Sequence, residues 1–358
     1  MNTDRAWVAT RKGLIELRHR GGSWQIEQCS FLGEPVSMLL PPQADGRMLA
    51  ALNLGHFGVK LQRSGDAGAT WAEVATPAYP EQPADASGVP WKLVQVWTLE
   101  AAAGTVWAGT LPGGLFRSDD FGSSWQLLRS LWDRPERAEW FGGGYDVPGI
   151  HSICPHPGDA RQMLVGISCG GAWTTRDGGD SWTNTSSGMR ADFMPPEQAE
   201  NPNIQDPHRI VRCPAAPQLL WCQHHCGIWR STDGGLHWAE VTSAPVSKFG
   251  FSVAVHPQDP DTAWFVPAIA DQTRVPVGGA LVVNRTRDGG RSFETLRQGL
   301  PQQHAYELMY RHALDVAADG RCLLMGSTTG GLWASDDAGD TWQTVSLNLP
   351  MVHAVRFG

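Results

Sequence analysis

Twelve histidines stand in this 358-residue chain, and three of them head short strand-like runs: His151-Ser-Ile-Cys-Pro-His, His208-Arg-Ile-Val-Arg-Cys and His312-Ala-Leu-Asp-Val-Ala. His353, in Met351-Val-His-Ala-Val-Arg-Phe357, holds a comparable place, and Trp221-Cys-Gln-His-His-Cys226 adds His224 and His225. Neutral imidazole donates a lone pair to divalent transition metals. Rings converging from several strands would therefore hold one such ion (Zn, Fe, Cu or Mn) and leave a position for water, oxygen or substrate. The expected ligands are His151, His208, His312, His224 and His225. The competing role for the same rings is hydrogen bonding in a wet channel mouth.

Carboxylates offer a second chemistry. Asp146, Asp206, Asp271 and Glu307 fall on the same side of the expected fold, and two of them would serve as the acid and base of a glycosidase. Asp206 lies two residues before His208 and Asp146 five before His151, so each would instead orient a ring from behind or cap a turn. Gln223 belongs with this group. Tyr306, Tyr310, Arg311, His56 and Arg274 are the expected ligand contacts. Trp132 and Trp140, with Trp91 and Trp97, form the expected aromatic wall.

These residues need a scaffold that brings distant segments to one point, and the sequence repeats itself accordingly. A motif Ser/Thr-x-Asp-x-Gly-x-x-Trp/Phe occurs six times, centred on Asp66, Asp120, Asp177, Asp233, Asp288 and Asp337. A decayed seventh copy ends at Gly21 and Trp24, with His19 in the aspartate place. The aromatic positions 24, 71, 125, 182, 238, 293 and 342 are 47 to 57 residues apart, the period of a four-stranded propeller blade. Within the motif the Asp accepts backbone N–H groups, the Gly takes a conformation other residues resist, and the aromatic packs between sheets.

The motif resembles the Asp-box, or bacterial neuraminidase repeat, over nearly the whole chain. That resemblance implies an all-β, seven-bladed propeller of the sialidase-like superfamily, with structural aspartates on the face opposite the active one. It does not imply sialidase chemistry: where a sialidase has an Arg-Ile-Pro segment near its N-terminus, this chain has Ala9-Thr-Arg-Lys-Gly13, and Arg274-Val-Pro276 lies in the sixth blade. The chain begins with strands B, C and D at Trp7, Leu14 and Gln25 and ends on a lone strand A, so the last strand is expected to close the first blade. Residues 1–358 then form one domain. His151, His208 and His312 fall at one register of the inner strands of blades four, five and seven.

Composition agrees. Gly 41 and Pro 25 against 18% charged residues describe a turn-rich, charge-poor chain. A net charge of −8 without a basic run disfavours nucleic acid and anionic membrane. No apolar run has the length of a signal peptide or a membrane helix, and seven cysteines lack a compact framework, so a reducing cytoplasmic location is expected. Three functions fit: a small-ligand-binding or enzymatic propeller with a histidine-bound metal, a metal-free glycoside hydrolase using front-face carboxylates, and a non-catalytic scaffold for a protein partner. The long segment Met189 to Pro207 is expected to be a lid or a surface loop.

Overall fold

The structure is a computed structural model and describes residues 4–84 and 88–358. Seven antiparallel sheets of four strands succeed one another around an axis. The inner strands are Val352–Phe357, Val36–Leu40, Gln95–Ala102, Ile150–His156, Pro207–Arg212, Gly250–Val255 and Leu314–Val316, for blades one to seven. The C-terminal strand closes blade one as expected: Ala6 pairs with Phe357 and Val8 with Val355. Among the described residues helix is confined to short segments, such as Arg129–Trp132 and Pro135–Glu139. Among the described residues no helix is long and apolar enough to cross a membrane.

Between the sheets lie the tryptophans that the blade repeat places at equivalent positions, and Trp221, Trp264, Trp173 and Trp333 are fully buried. Each motif turn is closed by its own side chains. In blade two, Ser64 Oγ donates to Asp66 Oδ1 (2.7 Å) and accepts from Gly68 N (2.8 Å). Asp66 then accepts Thr70 N–H (2.8 Å) and Thr70 O–H (2.6 Å). The same bonds recur at Asp120, Asp177, Asp288 and Asp337. At Asp233 a histidine replaces the hydroxyl, with His237 Nδ1 2.8 Å from Oδ2. So many donors hold Asp66, Asp120, Asp177 and Asp288 at a pKa of about 2. These aspartates build turns and touch none of the front-face histidines.

A second repeated device aims side chains at the axis. The inner strands of blades one to six each carry a register shift at their front end, spanning His353, Ser37, Trp97, His151, His208 and Phe251. His312 holds the equivalent place in blade seven, one residue before Ala313, whose carbonyl accepts Gly326 N–H (2.8 Å). A bulge turns the extra residue out of the ladder and frees a carbonyl. Polar bulge residues capture the carbonyl so freed in the next blade: His353 Nδ1 donates to Val36 O (2.8 Å), Ser37 Oγ to Val96 O (3.2 Å), and His208 Nδ1 to Gly250 O (2.6 Å). The shared register of the histidines is thus an inter-blade clamp first.

Candidate functional site

Six of the seven bulge residues open into a trough across the front face. Its centre is a cavity of about 320 Å³ lined by Ser37, Trp97, Tyr145, Phe251, Tyr310, Arg311, His312 and His353. Toward blade five it continues, past Gly144, Phe251 and Arg274, into a cleft of about 260 Å³ that holds Asp206, His208, His225, Asp271 and Phe193. Toward blade two it widens over Arg11, Asn53 and Phe57. The central volume lies at the lower end of the roughly 300–1,000 Å³ usual for small-molecule sites.

Asp206 is the centre of the blade-five cleft. It ends the Met189 to Pro207 segment, which is tied down by buried Met189, Ala191 and Ala199. Gln205 Nε2 adds bonds to Ala199 O and Asn201 O. The Asp206 backbone is fixed to the neighbouring corner from both sides: its N–H donates to His224 Nε2 (3.0 Å), and its carbonyl accepts His225 N–H (2.9 Å). Oδ1 accepts Cys169 N–H (3.1 Å). Oδ2 is left to face His208 Nε2 at 3.4 Å and His225 Nδ1 at 3.3 Å. The three ligating atoms lie within 4.8 Å of one another.

The protonation pattern of this cluster is informative. Burial lowers the pKa of His208 despite the adjacent carboxylate, so the ring is neutral at neutral pH. Its one proton sits on Nδ1, committed to Gly250 O, and the ring stacks on Phe251 at 4.3 Å. Nε2 therefore presents a lone pair. Burial opposes ionisation of Asp206, but the His225 hydrogen bond and the Arg311 charge favour it and keep the carboxyl below its ordinary range. Two electron-rich atoms, Nε2 and Oδ2, thus face each other with no hydrogen between them.

Of the five histidines expected to bind metal, His208 and His225 share this cleft and the other three do not. His224 accepts the Asp206 N–H and packs on Trp229 (4.6 Å), its pKa pushed down to about 3 by burial. His312 donates Nε2–H to His151 O (2.8 Å), while His151 is fully buried with Nδ1 on Ser152 Oγ (2.9 Å). Asp206 takes its place beside the rings rather than behind them. Asp146 is exposed and lines none of the three cavities. Gln223 is a strut, its Nε2 donating to His224 O, Gly227 O and Lys248 O. Glu307 accepts from Thr329 outside the trough.

Among the expected ligand contacts, Tyr310, Arg311 and Arg274 line the trough, whereas Tyr306 and His56 are exposed outside its lining. The aromatic wall is corrected. Trp132 is buried in the core between blades two and three, against Tyr79 (4.8 Å), Trp91 (5.3 Å) and the Arg137 guanidinium (3.9 Å). Trp140 is buried against Trp173 (5.7 Å) and borders a separate cleft with Trp91 and Pro148. A helical turn beginning at Arg129 folds Trp132 inward, which a count of front-face segments does not reveal. Trp97 alone of that group reaches the trough.

Phe251, Tyr145 and Gly142 to Gly144 were not anticipated as site residues. Phe251 stands at the histidine register, in Gly250-Phe-Ser-Val, so alignment of all seven inner strands rather than of the histidines would have found it. Gly143 forms a strap between the central cavity and the blade-five cleft. Its carbonyl accepts Ser168 O–H (3.0 Å), and an added Cβ would come within 2.6 Å of Ser168 Oγ and 2.7 Å of Cys169 Sγ.

No family model matches the chain. Its sequence is 23% identical over 284 residues to a xyloglucanase from a Paenibacillus species, which covers 69% of this chain but 25% of that protein. Among solved structures, the GH74 xyloglucanase from Xanthomonas campestris superposes with a TM-score of 0.66 and 17% identity over 96% of this chain and 52% of its own. YCF48 bound to D1 peptide superposes at 0.57, with 16% identity over 93% and 90%. The chain thus spans about a quarter of the relative in sequence and about half of the similar xyloglucanase structure. At these identities the likeness shows the fold, a seven-bladed propeller also used by glycoside hydrolases.

Proposed function

We propose that this propeller, whose repeated turns we read as Asp-boxes, binds a small organic ligand in its front trough beside one divalent transition metal. The metal would be held by Asp206, His208 and His225. The observation that carries the reading is the 3.4 Å approach of the His208 Nε2 lone pair to the Asp206 carboxylate, with the other ring nitrogen committed to Gly250 O. A cation between them relieves that repulsion. Two imidazoles and a carboxylate suit zinc, iron, copper or manganese. Three protein ligands leave a position open, where a bound metal would polarise a ligand oxygen or lower the pKa of water.

The chain's own residues supply the remainder of the site. Gly250 O fixes the His208 tautomer, and Cys169 N–H fixes the carboxylate plane. Phe193 packs on His225 (5.0 Å), while Phe251 lies against His208, limiting water at the cluster. The reading is tested by metal analysis of purified protein. It expects about one ion per chain, lost in His208→Ala and His225→Ala and kept in His151→Ala. Metal-free protein that takes up none from a zinc or manganese solution would overturn it.

A metal-free glycoside hydrolase is favoured by one observation, that Asp206 and Asp271 line a single cleft in a chain similar to a xyloglucanase. Reducing ends released from xyloglucan by chelator-treated protein, and lost in both Asp206→Asn and Asp271→Asn, would establish that reading instead.

A further inference from the structure

Arg311 feels the charge of Asp206 from a distance but is joined to no carboxylate in the trough. Its side chain is only 7% exposed, yet no carboxylate lies within ion-pairing distance among the described residues. Its Nε has no partner, and its one hydrogen bond is a long contact from Nη2 to Gly143 O (3.5 Å). The guanidinium lies between two aromatic rings, 4.8 Å from Trp97 and 5.3 Å from Phe251. Aromatic faces steady a cation but accept no hydrogen bonds in its plane, so a guanidinium that lines the cavity keeps unmet donors.

Among the described residues, no other arginine both lines this cavity and lacks an ion pair: Arg274 is the other one on its wall. Arg274 pairs with Asp271. Arg209 donates to His151 O (3.2 Å), and Arg356 to Val355 O (3.0 Å). Both lie in the field of Glu100 and Asp315, as Arg311 lies in that of Asp206, and Arg356 also keeps an unpartnered Nη2, but neither lines the cavity. A fold rarely buries a cation without a partner, because the desolvation cost is several kcal/mol per ion. Arg311 therefore makes physical sense when a ligand brings the negative charge.

The charge count narrows that ligand. His312 and His353 also line the central cavity, but burial lowers both, so they are neutral at neutral pH. With Arg274 neutralised by Asp271, the cavity offers one positive charge. A phosphate dianion would be left half compensated. A carboxylate matches both the charge and the planar fork of the guanidinium. The walls, Trp97, Tyr145, Phe251 and Tyr310, are aromatic, which suits a flat or apolar body behind the carboxylate.

We propose that the central cavity is a subsite for a monocarboxylate with a planar or apolar body, anchored by the Arg311 guanidinium and separated from the Asp206 cluster by the Gly143 strap. The proposal deepens the reading of the trough as a small-ligand site and does not require the metal. It names the substrate class as an organic monocarboxylic acid whose far end reaches past Gly144 toward His208.

The test uses chelator-treated full-length protein and three probes, benzoate, benzamide and phenyl phosphate, with calorimetric titration and thermal melting. Benzoate is expected to saturate one site with a Kd of about 1 mM or tighter, and benzamide to bind at least about tenfold more weakly. Arg311→Met should weaken benzoate at least about tenfold while still melting cooperatively, Arg311→Lys should recover part of the binding, and His225→Ala should change it less than about threefold. Equal binding of benzamide, an Arg311→Met variant that binds normally, or absence of saturation by benzoate would overturn the proposal. Tighter binding of phenyl phosphate than of benzoate would overturn the carboxylate assignment. Loss of benzoate in His225→Ala would overturn a subsite independent of the Asp206 cluster. Failure to take up metal leaves these outcomes unchanged, so the two readings fail separately.

Discussion

Replacing Arg311 by Met should make the unliganded protein more stable. The native side chain is 7% exposed, with Nε unpartnered and a single 3.5 Å hydrogen bond. An unmet buried donor costs about 1–3 kcal/mol, and the buried charge costs several more. Against this stand the contacts with Trp97 and Phe251, each worth about 0.5–2 kcal/mol when desolvated. Met keeps the unbranched stem and adds a sulfur contact with the rings of about 0.3–1.5 kcal/mol. With the field of Asp206 offsetting most of the charge cost, the balance favours the variant by about 1–2 kcal/mol, a rise in melting midpoint of roughly 1–3 °C for a chain of this length. Differential scanning calorimetry at pH 7 in a carboxylate-free buffer reads this directly. A fall of more than about 1 kcal/mol would show that the guanidinium is a structural staple, and the argument from an unpaired charge would fail.

Further outcomes follow from the same geometry. Trp132→Ala should lose about 3–5 kcal/mol of stability, because the ring fills the core between blades two and three; a melting midpoint within a degree of the parent would return Trp132 to the surface. Gly143→Ala should weaken benzoate binding and metal uptake together, since the added Cβ meets Ser168 and Cys169 on the strap between the two cavities; unchanged titrations would show that the strap does not shape them. Stability should fall in two acid stages. The unfolded chain takes up protons on its histidines below about pH 6.5, while His224, at about 3, stays neutral in the fold, so stability is full above 6.5 and His224 alone withdraws roughly 4–5 kcal/mol by about pH 3. The turn carboxylates, at about 2, add their loss as pH falls from about 3.8 toward 2. Urea midpoints at pH 7, 5 and 4 test the first stage, and a flat profile would contradict it.

The blades were legible because one turn is written repeatedly: Ser64, Asp66 and Gly68 make bonds that depend only on neighbours, and the same residues recur at fixed spacing. Closure followed from counting strands at the termini. The histidine register was legible too, since the inner-strand bulges aim the same position inward in each blade. What a register cannot say is which ring nitrogen is already occupied. His151, His208, His312 and His353 occupy equivalent places, yet their partners differ, Ser152 Oγ, Gly250 O, His151 O and Val36 O in turn. Three of those partners come from other blades or across the channel, the fourth is the neighbouring residue of the same strand, and the ring register signals none of them. The same holds for Trp132, whose burial depends on a single helical turn, and for Arg311, whose interest lies in a partner it lacks.

The central claim is that Asp206, His208 and His225, and not the buried His151–His312 pair, form a metal centre. Cobalt(II) added to chelator-treated protein tests it most directly, because its visible absorption bands report nitrogen and oxygen ligands and their geometry. The account predicts a saturable band at one cobalt per chain, abolished in Asp206→Asn and His225→Ala and intact in His151→Ala. No band, or a band lost in His151→Ala and retained in His225→Ala, would contradict it.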